Sequence, residues 1–165
     1  MSDGINRPAP AGGVPADVPG VIAPPPLVYL IALLGGWGLS WLWPASLVPR
    51  SARPAGYALI ALSAILFAFS FQRFRRWNTS VVPRKPVTAL ITDGPYRFSR
   101  NPIYLAFTMF SVGIGIVADL PWLFGLLVPT LVVIRWGVIA REERYLERKF
   151  GEAYRGYKAT VRRWI

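Results

Sequence analysis

The sequence contains no cysteine and no histidine. Disulfides, thiolate nucleophiles and the usual zinc and haem sites are therefore excluded. Acid–base chemistry by an imidazole near neutral pH is excluded as well. Acidic residues are scarce, 8 against 19 basic ones, and charged residues make up only 16% of the chain. A soluble domain carries about 25%. Any chemistry must rest on Arg, Lys, Glu, Asp, Tyr, Asn, backbone dipoles or a bound cofactor, and no resident metal ion is expected.

Hydrophobic residues make up 53% of the 165, and they are gathered in long blocks. The fold class they predict is an all-α integral membrane protein with about four transmembrane helices. The spans are read at about 27–43, 56–74, 103–118 and 122–140. Only Asp119-Leu120-Pro121 separates the last two, which predicts a tight helical hairpin. Residues 27–165 are expected to form a single membrane-embedded domain, preceded by a disordered Pro/Gly/Ala-rich tail at 1–26. That tail lacks the charged, apolar and small-residue regions of a signal peptide. Gly35, Gly36 and Gly38 in the first span suit close helix packing.

The net charge of +11 would suggest a nucleic-acid partner in a soluble protein. Here the charges flank the spans: seven basic residues fall between Arg73 and Arg100 and eight between Arg141 and Arg163. They predict cytoplasmic N- and C-termini and the lipid bilayer, not nucleic acid, as the partner.

The connection 75–102 is the longest polar stretch between spans, and its apolar patch Val87 to Ile91 predicts an ordered loop folded onto the membrane surface. It ends in Thr-Asp-Gly-Pro-Tyr-Arg-Phe-Ser-Arg-Asn-Pro-Ile-Tyr, residues 92–104. Pro102 biases Asn101 away from helix and suits the first turn of the helix that follows. Arg97, Arg100 and Asn101 then sit on a rigid bend at a helix N-terminus, suited to an anionic or carboxylate-bearing ligand. A basic loop obeying membrane topology is the plainer reading.

Arg135 lies inside the fourth span, about one and a half turns from Arg141. An intramembrane charge marks a functional site or snorkels to the interface. In a continuous helix it shares a face with Glu142, seven residues on. The stretch 141–165 reads as an amphipathic helix lying on the membrane or capping the loop, with a break at Gly151 or Gly156. Its apolar stripe is Leu146, Phe150, Tyr154, Tyr157, Val161 and Trp164.

Three blocks carry a wider likeness: Gly-Pro-Tyr-Arg at 94–97, Ser-Arg-Asn-Pro-Ile-Tyr-Leu at 99–105, and Arg-Glu-Glu-Arg-Tyr-Leu-Glu-Arg-Lys-Phe-Gly-Glu-Ala-Tyr-Arg-Gly-Tyr at 141–157. Together with the intervening apolar hairpin, they resemble the isoprenylcysteine carboxyl methyltransferase family, a group that also takes in phospholipid N-methyltransferases. The resemblance covers about 79–165. It implies a membrane methyltransferase that uses S-adenosylmethionine and releases S-adenosylhomocysteine. The cofactor would lie at the cytoplasmic ends of the last two spans, under the C-terminal segment. A small or lipophilic acceptor (a carboxylate, amine or thiol) would enter from the bilayer. By position, Leu90, Thr92, Tyr96, Asn101, Pro102 and Tyr104 belong to the cofactor pocket. Glu142 and Glu143 match paired glutamates associated with cofactor binding, and Arg135 falls near the substrate end. Asn101 departs from the His usual in the carboxyl methyltransferases, which turns the expectation away from a prenylcysteine substrate.

A carboxylate acceptor needs only a cation to hold it, the catalytic role expected of Arg135 or Arg100. An amine acceptor must lose a proton, which Glu142 or water takes. Two other classes fit the architecture: an NADPH-dependent sterol or enone reductase, and a non-enzymatic membrane scaffold. Cofactor binding separates the three.

Overall fold

The computed structural model describes residues 18–79 and 86–165. Among these the chain is all-helical. Four apolar helices traverse it: α1 Pro25–Leu42, α2 Arg53–Arg76, α3 Pro102–Val117 and α4 Pro121–Val132. A π-helical segment, Val133–Ile139, continues α4 into α5 Ala140–Phe150, and α6 Glu152–Thr160 follows. Short 3-10 turns stand at Arg50–Ala52 and Gly94–Arg97. Each traversing helix has a proline in its first turn, where the missing N–H would have no helical partner.

The polarity of the bundle is that of a protein in lipid. Large apolar side chains face outward, among them Ile31, Trp37, Ile65, Phe69, Val128 and Trp136. The contacts between helices are built from small residues instead. α2 lies against α3 where Gly56 meets Gly113, and Ser63, Ser70 and Ser111 are buried nearby. Each of these serine hydroxyls donates to a carbonyl of its own helix, at 2.7, 2.7 and 2.9 Å. α1 lies against α4 through Gly36, and Tyr29 ties α1 to α3 by hydrogen bonds to Tyr104 O and Thr108 Oγ1. α1 and α2 are not packed on one another. Of the three glycines of the first span, Gly38 faces open space.

At one end of the bundle Asp119 (φ 50°) turns the chain between α3 and α4. Its carboxylate accepts from the Ser46 hydroxyl and from the backbone N–H groups of Leu47 and Val48. That carboxylate latches the α1–α2 connection to the hairpin.

The opposite end of the bundle holds a cavity. The loop is ordered there, and Val87, Ala89, Leu90 and Ile91 of its apolar patch line that cavity, with Val87 N–H donating to Tyr145 Oη at 3.2 Å. The C-terminal amphipathic stretch breaks at Gly151 (φ 52°), while Gly156 continues α6. Of the expected tail, 1–17 fall outside the described residues, but 18–24 follow a fixed course and α1 already begins at Pro25. There Ile22 N–H donates to Gly137 O at 3.2 Å and Arg141 Nη1 to Gly20 O at 2.9 Å.

The first of these two ties ends on the π segment that follows α4. The widened turn presents the Gly137 carbonyl to the crossing segment. Replacing Ile22 with Pro deletes that donor. Limited proteolysis of the purified protein should then cut within 18–24 faster than in wild type. An unchanged digestion pattern would show that the tie does not hold the segment.

Candidate active site

The cavity, of about 360 Å³, occupies the end of the bundle where α1 begins, α2 ends, α3 begins and α5 lies. That volume is within the range of small-molecule sites. Its apolar side is made by Pro24, Pro25 and Pro26 at the start of α1, Phe67, Phe71 and Phe74 on α2, and Phe107 on α3. Because α1 and α2 do not pack together, this side stands between two helices that face lipid. The polar side is made by Tyr96, Arg100, Asn101, Tyr104, Glu142, Glu143, Tyr145, Tyr154 and Tyr157.

The two adjacent glutamates have different partners. Glu142 Oε1 accepts from the Tyr104 hydroxyl at 2.7 Å, and among the described residues no Lys or Arg pairs with it. Glu143 holds two guanidinium groups. Arg100 Nη2 lies 3.2 Å from Oε1, while Arg163 donates from Nε to Oε1 at 3.0 Å and from Nη2 to Oε2 at 2.6 Å. The side chains of Arg100 and Glu143 are only 9% and 8% exposed. Arg100 Nε and Nη1 are buried with no partner. A cavity-lining arginine whose guanidinium keeps two buried donors without a partner has unsatisfied capacity for an anionic group.

The bend that presents Arg100 is fixed from the C-terminal side. Arg100 N–H donates to Arg162 O at 3.0 Å, while Asn101 Nδ2 and Ser99 Oγ both donate to Arg163 O, at 3.0 and 3.3 Å. The Tyr157 hydroxyl donates to Tyr96 O at 2.7 Å. At the other side of the bend Arg73 Nη1 bonds Asp93 at 3.1 Å, beneath Gly94. Gly94 has φ +59°, and a Cβ there would fall 2.6 Å from Arg73 Nε. Burial pushes the phenols of Tyr96, Tyr154 and Tyr157 up, so they stay protonated donors.

The cavity thus gathers Leu90, Tyr96, Arg100, Asn101, Tyr104, Glu142 and Glu143. Thr92 is exposed and off the wall, and Pro102 is buried behind it at the start of α3. Arg135 also stands outside the cavity. It is exposed, with its guanidinium 5.2 Å from the Trp136 ring. The π segment between Arg135 and Glu142 breaks the seven-residue phase that a regular helix would keep, so the two do not share the expected face. Arg163 was not foreseen. Twenty residues separate it from Glu143, and a basic residue among many there carries no sign of a buried partner.

Apolar helices thus surround a polar, charge-bearing cavity at one end of the bundle. The phospholipid methyltransferase family profile matches residues 52–153, so the chain belongs to that family. An uncharacterized protein of Haemophilus influenzae is 53% identical over 47 residues, 28% of this chain and 71% of its own length. The nickel-cobalt-cadmium resistance protein NccN of Alcaligenes xylosoxydans xylosoxydans is 27% identical over 128 residues, 76% of this chain. The chain spans 54% of the length of NccN.

Proposed function

We propose that this protein is an S-adenosylmethionine-dependent methyltransferase whose acceptor reaches the cavity from the bilayer, and that residues 27–165 form one catalytic domain. The observation that carries the reading is the pairing of opposite open charges on one cavity wall. Arg100 offers two free guanidinium N–H groups, and Glu142 is a carboxylate with no cationic partner among the described residues. An amino-acid end group carries both complementary charges. Arg100 would hold its carboxylate and Glu142 its ammonium, with the Tyr104 hydroxyl fixing the Glu142 side chain. Leu90, Tyr96 and Asn101 would line the remainder of the cofactor site.

When bound, S-adenosylmethionine supplies a methyl group on a sulfonium, and that positive charge disappears as the methyl transfers. The protein's own part is positioning and exclusion of water. Phe67, Phe71 and Phe107 would take the apolar body of the acceptor and keep its reactive atom in line. With Glu142 on the cofactor ammonium, an amine or thiol acceptor would give up its proton to water. A carboxylate acceptor needs no base.

Most basic side chains gather at the cavity end, from Arg73 to Arg76, around Arg97 and along α5 and α6. By the positive-inside rule this end, with both termini, is cytoplasmic.

S-adenosylhomocysteine at about a hundred times its dissociation constant should stabilise the protein by about 2.7 kcal/mol, which raises the melting midpoint by several degrees. The measurement is a thermal melt of the detergent-purified protein, beside NADPH. Glu142→Gln should abolish the shift without lowering the midpoint of the free protein. A shift with NADPH alone would point to a reductase, and no shift with either to a scaffold.

A further inference from the structure

Charge is not balanced around Glu143. One carboxylate faces two guanidinium groups, and all three are largely withdrawn from water, at 8%, 9% and 27% side-chain exposure for Glu143, Arg100 and Arg163. The division between the two is unequal. Arg163 takes the carboxylate through both Nε and Nη2, while Arg100 touches it through Nη2 alone. Arg100 lines the cavity, and its Nε and Nη1 are buried and left unpaired. A lone Arg–Glu pair closes instead into a two-bond fork that uses both carboxylate oxygens.

We propose that Arg163 is a positioning residue: by occupying Glu143 it keeps Arg100 from closing on it, and so maintains a net positive subsite for a carboxylate or phosphate group on the bound ligand. Arg163 does not line the cavity, so it acts through Glu143 and Arg100. Its backbone has a separate task, because its carbonyl accepts from Asn101 and Ser99. A side-chain substitution leaves those bonds in place, which separates the electrostatic role from the structural one. This proposal rests on the methyltransferase reading only for the name of the ligand.

In Arg163→Met, Arg100 closes on Glu143 as a neutral fork and the free protein stays folded. The test compares two probes on full-length wild type and variant by calorimetric titration in detergent. S-adenosylhomocysteine carries the carboxylate, and 5′-methylthioadenosine lacks the amino-acid end. Affinity for the first should fall roughly tenfold or more, while affinity for the second stays unchanged. Arg163→Lys should recover part of the loss, since it keeps the charge without the fork. Equal weakening of both probes, or no change in either, would overturn the proposal. A third arm is independent of the cofactor: inorganic phosphate against chloride at equal ionic strength should raise the melting midpoint of wild type and not of Arg163→Met. If wild type responds to phosphate but not to S-adenosylhomocysteine, the subsite stands and the cofactor reading falls. If it responds to neither, both fall.

Discussion

Glu143→Ala destabilises the protein by about 3–5 kcal/mol, because it strands two buried guanidinium groups on a missing carboxylate. Arg100 already has two unpaired N–H groups, and the substitution would leave the whole side chain without an acceptor in a place water scarcely reaches. Arg163 would lose both of its side-chain bonds. The bend at 99–101 would then be tied to the C-terminal segment by the bonds to Arg162 O and Arg163 O, without the charge cluster. Glu142 supplies the internal comparison. Its neighbour in the structure is a neutral phenol, so its loss should spare stability and remove ligand binding. Denaturant or thermal unfolding of both variants in one detergent checks this. Equal stability of the two would mean that the charge cluster around Glu143 contributes nothing to the fold.

Gly36→Ala has the second large effect, at the other half of the bundle. A Cβ there would lie 2.7 Å from Leu123 Cβ, 2.8 Å from its Cα and 3.0 Å from its N. The obstacle is backbone, which cannot rotate aside, so α1 and α4 must part. Overpacking of this kind costs about 1–3 kcal/mol, and more for a larger side chain. The separation would also displace Tyr29, whose hydroxyl reaches across to α3. Gly38→Ala, two residues away in open space, should be neutral or slightly stabilising, since Ala is the better helix former. The fraction of monodisperse protein recovered after solubilisation, followed by a melt, distinguishes them. If both variants behave alike, the close approach of α1 and α4 at Gly36 is not a requirement of the fold.

The helices were legible because two independent signals coincide. Apolar blocks mark their extent, and prolines mark their starts, so the expected spans 103–118 and 122–140 differ from the observed starts at Pro102 and Pro121 by one residue. The tight hairpin at Asp119 was legible for the same reason. The placement of Arg135 was not. Its expected face assumed a regular helix, and the π segment Val133–Ile139 shifts the phase. The cavity residues on the polar bend could be named because they are contiguous in sequence. Phe67, Phe71, Phe107 and Arg163 come from elements that only tertiary packing brings to the site, and each looks in isolation like an ordinary lipid-facing or basic residue.

The third helix has only 16 residues, so it spans about 24 Å, against a hydrocarbon layer of about 30 Å. Its neighbour α2 has 24 residues and no such deficit. In a bilayer, a helix this much shorter than the hydrocarbon layer is met by thinning of the adjoining lipid or by polar groups drawn inward at its ends. On the proposed reading, a lipid-borne acceptor would keep its tail in the acyl layer while its head enters the cavity. The hydrophobic mismatch of one short helix would then bring the proposed reaction to the lipid, in place of lifting the lipid out to it.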